Sequence, residues 1–105
     1  MKTGCFRLGD YRVDPDRLAI AHGSEIATVE PKTMAVLVAL AERAGEVVSA
    51  DELIEQVWEG RALGDNPVYG AVAKLRRALG DDAREARFIE TVPRRGYRLA
   101  VAPEA

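Results

Sequence analysis

The sequence DNPVYGAVAKLRRALG at positions 65–80 and the sequence RFIETVPRRGYR at positions 87–98 decide the fold of this chain. Apolar residues in the first sequence are spaced so that they share one face of a helix. These residues are Val68, Val72, Leu75 and Leu79. Apolar and polar residues alternate in the second sequence, as they do in half-buried strands. We therefore predict a helix followed by a β-hairpin.

The predicted helix covers residues 66–79 and has recognisable ends. Asp65 or Asn66 provides the cap, and Pro67 occupies the first turn, where its missing N–H costs nothing. Gly80 can adopt the left-handed conformation that ends many helices. The side chains roughly opposite the apolar stripe are Tyr69, Gly70, Ala73, Lys74, Arg76 and Arg77. The helix therefore presents a basic face to its surroundings.

The predicted hairpin covers residues 88–101. Its strand-like runs, 88–92 and 97–101, are joined by a Pro-Arg-Arg-Gly sequence that favours a tight turn. The turn places Arg94 and Arg95 at the hairpin tip. A basic helix followed closely by an arginine-tipped hairpin is typical of a winged helix-turn-helix, and this combination predicts duplex DNA binding.

The upstream sequence reads as a scaffold for these two elements. Residues 5–29 contain short alternating segments separated by turn signals, which predict an antiparallel sheet of three or four strands. Two helices follow, over residues 31–44 and 49–58, and the second begins with a Ser-x-x-Glu capping box. The fold class is α+β, with one winged-helix domain over residues 1–102. We expect residues 103–105 to be a frayed end or the start of a linker.

The composition is that of a single globular domain without disulfides. The chain has 105 residues, of which 48% are hydrophobic and 30% are charged. No apolar run approaches the roughly 20 residues of a membrane helix. The single cysteine, Cys5, cannot form an intrachain disulfide, which suits a reducing cytoplasm.

The net charge of −2 and the pI of about 5.4 argue against nucleic-acid binding when the chain is taken as a whole. The charge is unevenly distributed, however. Residues 1–65 carry −5, from 7 Lys or Arg and 12 Asp or Glu, whereas residues 66–105 carry +3, from 8 Lys or Arg and 5 Asp or Glu. Because salt screens charges beyond about 8 Å, a local basic patch can still attract phosphates.

The basic residues of the two elements have the chemistry of DNA contacts. Lys74, Arg76 and Arg77 can reach base edges or phosphates from the major groove. Arg94 and Arg95 suit the minor groove, whose negative potential attracts arginine. Taken alone, the basic residues of the helix are explained nearly as well by an ordinary solvated face as by DNA contacts. The second basic element, the hairpin tip, favours DNA contacts.

The small residues on the outward helix face leave an alternative open. Gly70 costs about 1 kcal/mol relative to alanine inside a helix. Close approach of the helix backbone to DNA or to another helix would explain Gly70. The alternative is that the fold simply tolerates it. Together with the net negative charge, this glycine and the neighbouring alanines keep a second hypothesis in play, a winged-helix protein-interaction module that does not bind DNA.

Catalytic chemistry finds little support in the sequence. His22 is the only histidine, and a turn explains it; Cys5 is expected to be a small buried hydrophobic residue. One cysteine and one histidine cannot make a structural zinc site. The pair Asp81 and Asp82 is better explained as a helix-end turn than as a metal site. We therefore predict no enzyme activity, no metal and no cofactor.

The chain also resembles a known family. The string VYGAVAKLRRALGDD…FIETVPRRGYRL resembles the C-terminal half of the OmpR/PhoB-type winged-helix DNA-binding domain, and the string EPKTMAVLVALAERAGEVVSADELIEQVW resembles its first two helices. The ending PRRGYRL is most similar to the CadC/ToxR-like subgroup, found at the N-terminus of membrane-anchored regulators. The resemblance covers nearly the whole chain.

The resemblance implies a set of DNA contacts. On the recognition helix these are Asn66, Ala71, Ala73, Lys74 and Arg76. Lys74 would face bases and Arg76 a phosphate, while Thr91 would lie near the DNA backbone at the start of the wing. Ala71 and Ala73 stand where relatives often place polar or basic residues, so base reading there reduces to apolar contact.

The sequence departs from the family pattern in two further places. Pro93 stands where relatives often carry the wing arginine, so Arg94 or Arg95 must substitute. Glu30 stands at a helix start that usually has threonine or serine, which implies a weaker cap. The candidate DNA-binding residues are Asn66, Tyr69, Ala73, Lys74, Arg76, Arg77, Thr91, Arg94 and Arg95.

Several partners follow from the same resemblance. The main one is double-stranded DNA. In some relatives the loop between the second and third helices contacts RNA polymerase, and here that loop is residues 59–65. Many relatives bind direct repeats in tandem, so a tandem dimer on DNA is a further expectation. We expect a cytoplasmic location, either for the chain itself or for a longer, membrane-anchored regulator that contains it.

Overall fold

The computed structural model describes residues 4–61 and 66–105, and the side chain of Asn66 lies outside this description. Within these residues the chain forms two antiparallel sheets and three α-helices. This arrangement confirms the predicted α+β winged helix-turn-helix.

The first sheet is a meander of four strands, the upper of the two numbers predicted. The strands are β1 (Phe6–Leu8), β2 (Tyr11–Asp14), β3 (Ala19–His22) and β4 (Glu25–Thr28), in the spatial order β1-β2-β3-β4. Val13 lies opposite Phe6 on one side and opposite Ile20 on the other. All three side chains are buried, so one face of the sheet packs on the core.

Three helices pack on one another and on that core. They are α1 (Pro31–Glu42), α2 (Ala50–Trp58) and α3 (Asn66–Ala78). The capping box predicted for α2 is formed: the backbone N–H of Glu52 donates to the Ser49 hydroxyl, and the Glu52 carboxylate accepts from the Ser49 N–H. The apolar stripe predicted for α3 is buried. No helix in this part of the chain is long and apolar enough to cross a membrane.

Helix α1 ends two residues before the predicted position 44. Arg43 lies outside the helical conformation, with φ −123° and ψ 40°. Gly45, predicted as the stop, lies in the turn that follows, with φ 85°. Its N–H donates to the carbonyl of Leu99, which ties this turn to the C-terminal hairpin.

The C-terminal hairpin belongs to a three-stranded sheet. Its strands are β5 (Val47–Val48), β6 (Ile89–Val92) and β7 (Gly96–Leu99), in the order β5-β7-β6. Strands β6 and β7 form the predicted wing. Strand β5 was not predicted, because two consecutive valines show no alternation, and it connects the wing to the start of α2.

Gly96 sets how closely the wing approaches β5. Its φ of 142° is rarely adopted by other residues, and a Cβ atom there would overlap the carbonyl oxygen of Val48 and lie 2.7 Å from the Cα of Ser49. The backbone of β7 therefore contacts the backbone between β5 and α2 directly. No other residue type fits this position without moving the wing.

At the edge of the first sheet one sequence-based expectation is wrong, and one of the two alternatives for the C-terminal residues does not hold for Glu104. Cys5 is exposed, because it precedes β1 and Phe6 takes the inward position. Glu104 does not belong to a frayed end, because it forms a β-bridge with Arg7 on the outer edge of β1. The backbone N–H of each residue donates to the carbonyl of the other, at 2.6 and 2.9 Å. This bridge covers part of an otherwise open strand edge.

Candidate nucleic-acid interface

The end of α3 determines the direction in which the chain leaves the helix. Gly80 has φ 61°, and its N–H donates to the carbonyl of Arg77 at 3.3 Å. The next N–H, of Asp81, donates to the carbonyl of Arg76 at 2.7 Å. These two hydrogen bonds are the pattern of a Schellman motif, which requires a left-handed residue and so favours glycine. The predicted stop at Gly80 is confirmed.

The carboxylate of Asp81 then fixes the connection between α3 and the wing. It accepts hydrogen bonds from the backbone N–H groups of Arg87, Phe88 and Ile89, at 2.7, 3.3 and 2.9 Å. The sequence predicted only a helix-end turn for this residue. Asp81 holds the first residues of the wing at a defined distance from the helix, a role that depends on contacts six to eight residues away.

The outward face of α3 is narrower than predicted. Tyr69 is 69% exposed, and Ala73 and Arg77 are also exposed. Ala71 is only 5% exposed and belongs to the core, so the DNA contact implied for it is wrong. Each helical residue is rotated by about 100° from the last, which places Ala71 beside the buried stripe. A Cβ added at Gly70 would meet nothing within 4 Å, so none of the described helices approaches closely there.

Arg76 faces the wing strand β6. Its guanidinium donates to the carbonyl of Ile89 from Nε and Nη2, at 3.3 and 2.7 Å, and from Nη2 to the hydroxyl of Thr91 at 2.8 Å. Arg76 therefore joins α3 to β6. The two residues implied to contact the DNA backbone, Arg76 and Thr91, lie side by side.

Lys74 lies on the opposite flank of α3, towards α1. Its ammonium contacts the carboxylate of Glu30 at 2.6 Å, and this hydrogen bond, followed by the lysine charge, holds the pKa of Glu30 below its ordinary value. The Glu30 side chain makes no cap to α1, which agrees with the weaker cap predicted there. Both flanking cations of the helix thus have partners within the protein.

The tip of the wing is organised differently. The N–H of Arg95 donates to the carbonyl of Val92 at 3.0 Å and closes a turn in which Arg94 adopts φ 64°. Both arginine side chains are exposed. Neither they nor Arg77 form an ion pair with any residue whose side chain the structure describes. These three guanidinium groups are available to a ligand.

The structure thus brings together most of the candidate residues. Tyr69, Ala73 and Arg77 share the outward face of α3, and Arg76 links that helix to Thr91, three residues before the wing tip. The side chain of Asn66 and the loop at 62–65 lie outside the described residues. In this arrangement α3, which is narrow enough to enter the major groove of DNA, lies beside a hairpin with a basic tip.

The sequence matches the profile of the family described as "Transcriptional regulatory protein, C terminal" over residues 23–99. The chain belongs to this family. It is 35% identical over 102 residues to the transcriptional activator CadC of Escherichia coli (strain K12). That alignment covers 96% of this chain but only 20% of CadC.

Solved structures of related domains have the same fold. The chain is similar to the DNA-binding domain of E. coli CadC, with a TM-score of 0.82, 34% identity and coverage of 98% of this chain and 97% of that one. It is also similar to the Klebsiella pneumoniae RstA DNA-binding domain, solved in complex with the RstA box, with a TM-score of 0.78 and 28% identity. That comparison covers 93% of this chain and 98% of the RstA chain.

Proposed function

We propose that this chain is the DNA-binding domain of a bacterial transcription regulator and binds duplex DNA through α3 and the wing. One observation carries the proposal: the Arg76–Thr91 contact fixes a helix with an exposed Arg77 beside a wing whose Arg94 and Arg95 have no ion-pair partner among the described side chains. The similarity to CadC and to the DNA-bound RstA domain supports it. Helix α3 enters the major groove, and the wing arginines enter the neighbouring minor groove.

In this proposal the residues divide into two kinds of contact. Tyr69, Ala73 and Arg77 face the base edges, where a direct contact selects sequence. Arg76 and Thr91 form a prearranged site for one phosphate, because the arginine keeps further N–H groups that its two acceptors do not use. Phosphate contacts of this kind fix the register of the helix in the groove.

The remaining expectations are part of the same proposal. Asn66 contacts DNA from the first turn of α3, and Lys74 contributes from its flank. The loop at 59–65 contacts RNA polymerase, and two copies bind direct repeats in tandem. The domain acts in the cytoplasm as part of a longer regulator, which agrees with the small share of CadC that the alignment spans.

Fluorescence anisotropy tests the proposal directly. The purified chain is titrated into a labelled mixed-sequence duplex over a salt series, and each phosphate contact contributes about −0.9 to the slope of log K against log salt. We expect tight binding at low salt and a slope that corresponds to a handful of contacts. A flat response at low salt would instead favour the interaction module, with exposed Tyr69 at the centre of its surface.

A further inference from the structure

The ion pair between Glu30 and Lys74 joins the start of α1 to the recognition helix. The two residues are 44 positions apart, and their charged groups are 2.6 Å apart. A hydrogen bond between an ammonium and a carboxylate is shorter and stronger than one between neutral groups. The side chains are nevertheless 70% and 51% exposed, so a ligand can reach both.

The position of Glu30 places a negative charge at the proposed interface. Two shallow grooves run along the flank of α3, and Glu30 and Lys74 line both of them. Gly70 lines one groove, and Arg77 lines the other. A duplex that contacts the outward face of α3 therefore passes close to the Glu30 carboxylate.

The Glu30 carboxylate has no structural role in capping α1 or in the core. It does not cap α1, and it is not buried, so a glutamate at this position is not needed to satisfy the backbone of the helix. Its hydrogen-bond partner is a basic residue of the recognition helix. The charge at this site therefore acts on Lys74 and on whatever approaches Lys74.

We propose that Glu30 limits the affinity of this domain for DNA by competing with phosphates for Lys74. This inference rests on the proposed function. In the free protein the carboxylate neutralises Lys74 and also repels phosphates that approach the same flank. Lys74 reaches the DNA backbone only when a phosphate replaces Glu30, so part of the basic charge of α3 does not contribute to sequence-independent binding.

The substitution Glu30→Gln tests this inference, because it keeps the size of the side chain and removes its charge. The matched control is Glu104→Gln, since Glu104 is also 70% exposed and also pairs with a cation, Arg7, on the remote edge of β1. Both variants change the net charge equally. Binding of each to the same mixed-sequence duplex is measured by anisotropy over a salt series, and a thermal melt confirms that each variant is folded.

We expect Glu30→Gln to bind about three- to tenfold more tightly than Glu104→Gln at about 50 mM salt, with a slope steeper by about 0.9. Lys74→Ala should weaken binding more in the Glu30→Gln background, where no carboxylate competes for the ammonium, than in the wild-type chain. Equal affinities and slopes for the two glutamine variants, or weaker binding of Glu30→Gln, would overturn the inference. If the wild-type chain does not bind the duplex at all, the proposed function fails as well.

Discussion

Helix α3 carries three basic residues and the wing tip carries two, and two of the three on the helix are held differently from those at the tip. On α3, Lys74 is paired with Glu30 and Arg76 is bonded to the wing strand β6. At the wing tip, Arg94 and Arg95 extend from a tight turn without ion-pair partners among the described side chains. The number of cations on an element therefore does not by itself set its contribution to phosphate binding.

This difference distinguishes basic residues that have partners within the protein from basic residues whose charged groups remain available to a ligand. Arg76 orients the wing relative to the helix, and breaking its contacts affects both elements. Arg77, Arg94 and Arg95, which we propose contact DNA, form no such link between α3 and the wing among the described residues. Substitutions at the two sets of residues should therefore differ in their effect on stability, and this difference can be measured.

The largest effect is expected from Gly96→Ala, which disrupts the support of the wing. The new Cβ atom overlaps the backbone of Val48, so β7 must move away from β5 at a cost of about 3 kcal/mol in the free energy of unfolding. Chemical denaturation measures this loss. A fold as stable as the wild type would contradict the close packing at Gly96.

Removing the wing arginines should have the next largest effect, and only on binding. Loss of two phosphate or minor-groove contacts in Arg94→Ala plus Arg95→Ala should weaken binding on the order of 100-fold at about 50 mM salt. The control Arg12→Ala plus Arg17→Ala removes the same charge from β2 and from the turn that follows it. Equal losses in the two double variants would show that only net charge matters.

The adjacent pair Arg76 and Arg77 gives the sharpest comparison. Arg76→Ala removes the hydrogen bonds to Ile89 and Thr91 and should lower the free energy of unfolding by about 1–2 kcal/mol, in addition to weakening DNA binding. Arg77→Ala should leave stability unchanged and weaken binding about tenfold at about 50 mM salt. Chemical denaturation and fluorescence anisotropy of both variants test this difference in stability and in DNA binding. Indistinguishable unfolding curves would remove the proposed structural role of Arg76.

The smallest effect is expected from Gly70→Ala. Because a Cβ atom at Gly70 meets open space, the substitution should stabilise α3 by about 1 kcal/mol. Unchanged DNA affinity would show that the glycine is merely tolerated, and a loss of affinity would show that DNA approaches the helix backbone there. A drop in stability would contradict the open space that the structure shows at this position.

Local sequence signals predicted most of the fold. The spacing of Val68, Val72 and Leu75 located the buried face of α3, and the Ser49–Glu52 pair located the start of α2. These signals span one or two helical turns and need no knowledge of the rest of the chain. Similarly, the Pro-Arg-Arg-Gly turn located the wing tip, because the turn chemistry is contained in those residues.

Features that depend on tertiary contacts were not predictable in the same way. The partners of Arg76 and Lys74 lie up to 15 and 44 residues away, and a helical wheel shows where such long side chains start but not where they end. Strand β5 consists of two residues whose pairing requires Gly96 in the partner strand. The DNA contact implied for Ala71 was wrong because this residue lies at the boundary of the buried stripe of α3.

Mapping of chemical-shift changes by NMR tests the central claim most directly. The isotope-labelled chain is titrated with duplex DNA, and the backbone amide and arginine Nε–H signals are followed. We predict that the largest changes occur at Ala73, Arg77, Arg94 and Arg95, with little change in the strands from Phe6 to Thr28. The largest changes in that first sheet, or no changes at all, would contradict DNA binding through α3 and the wing.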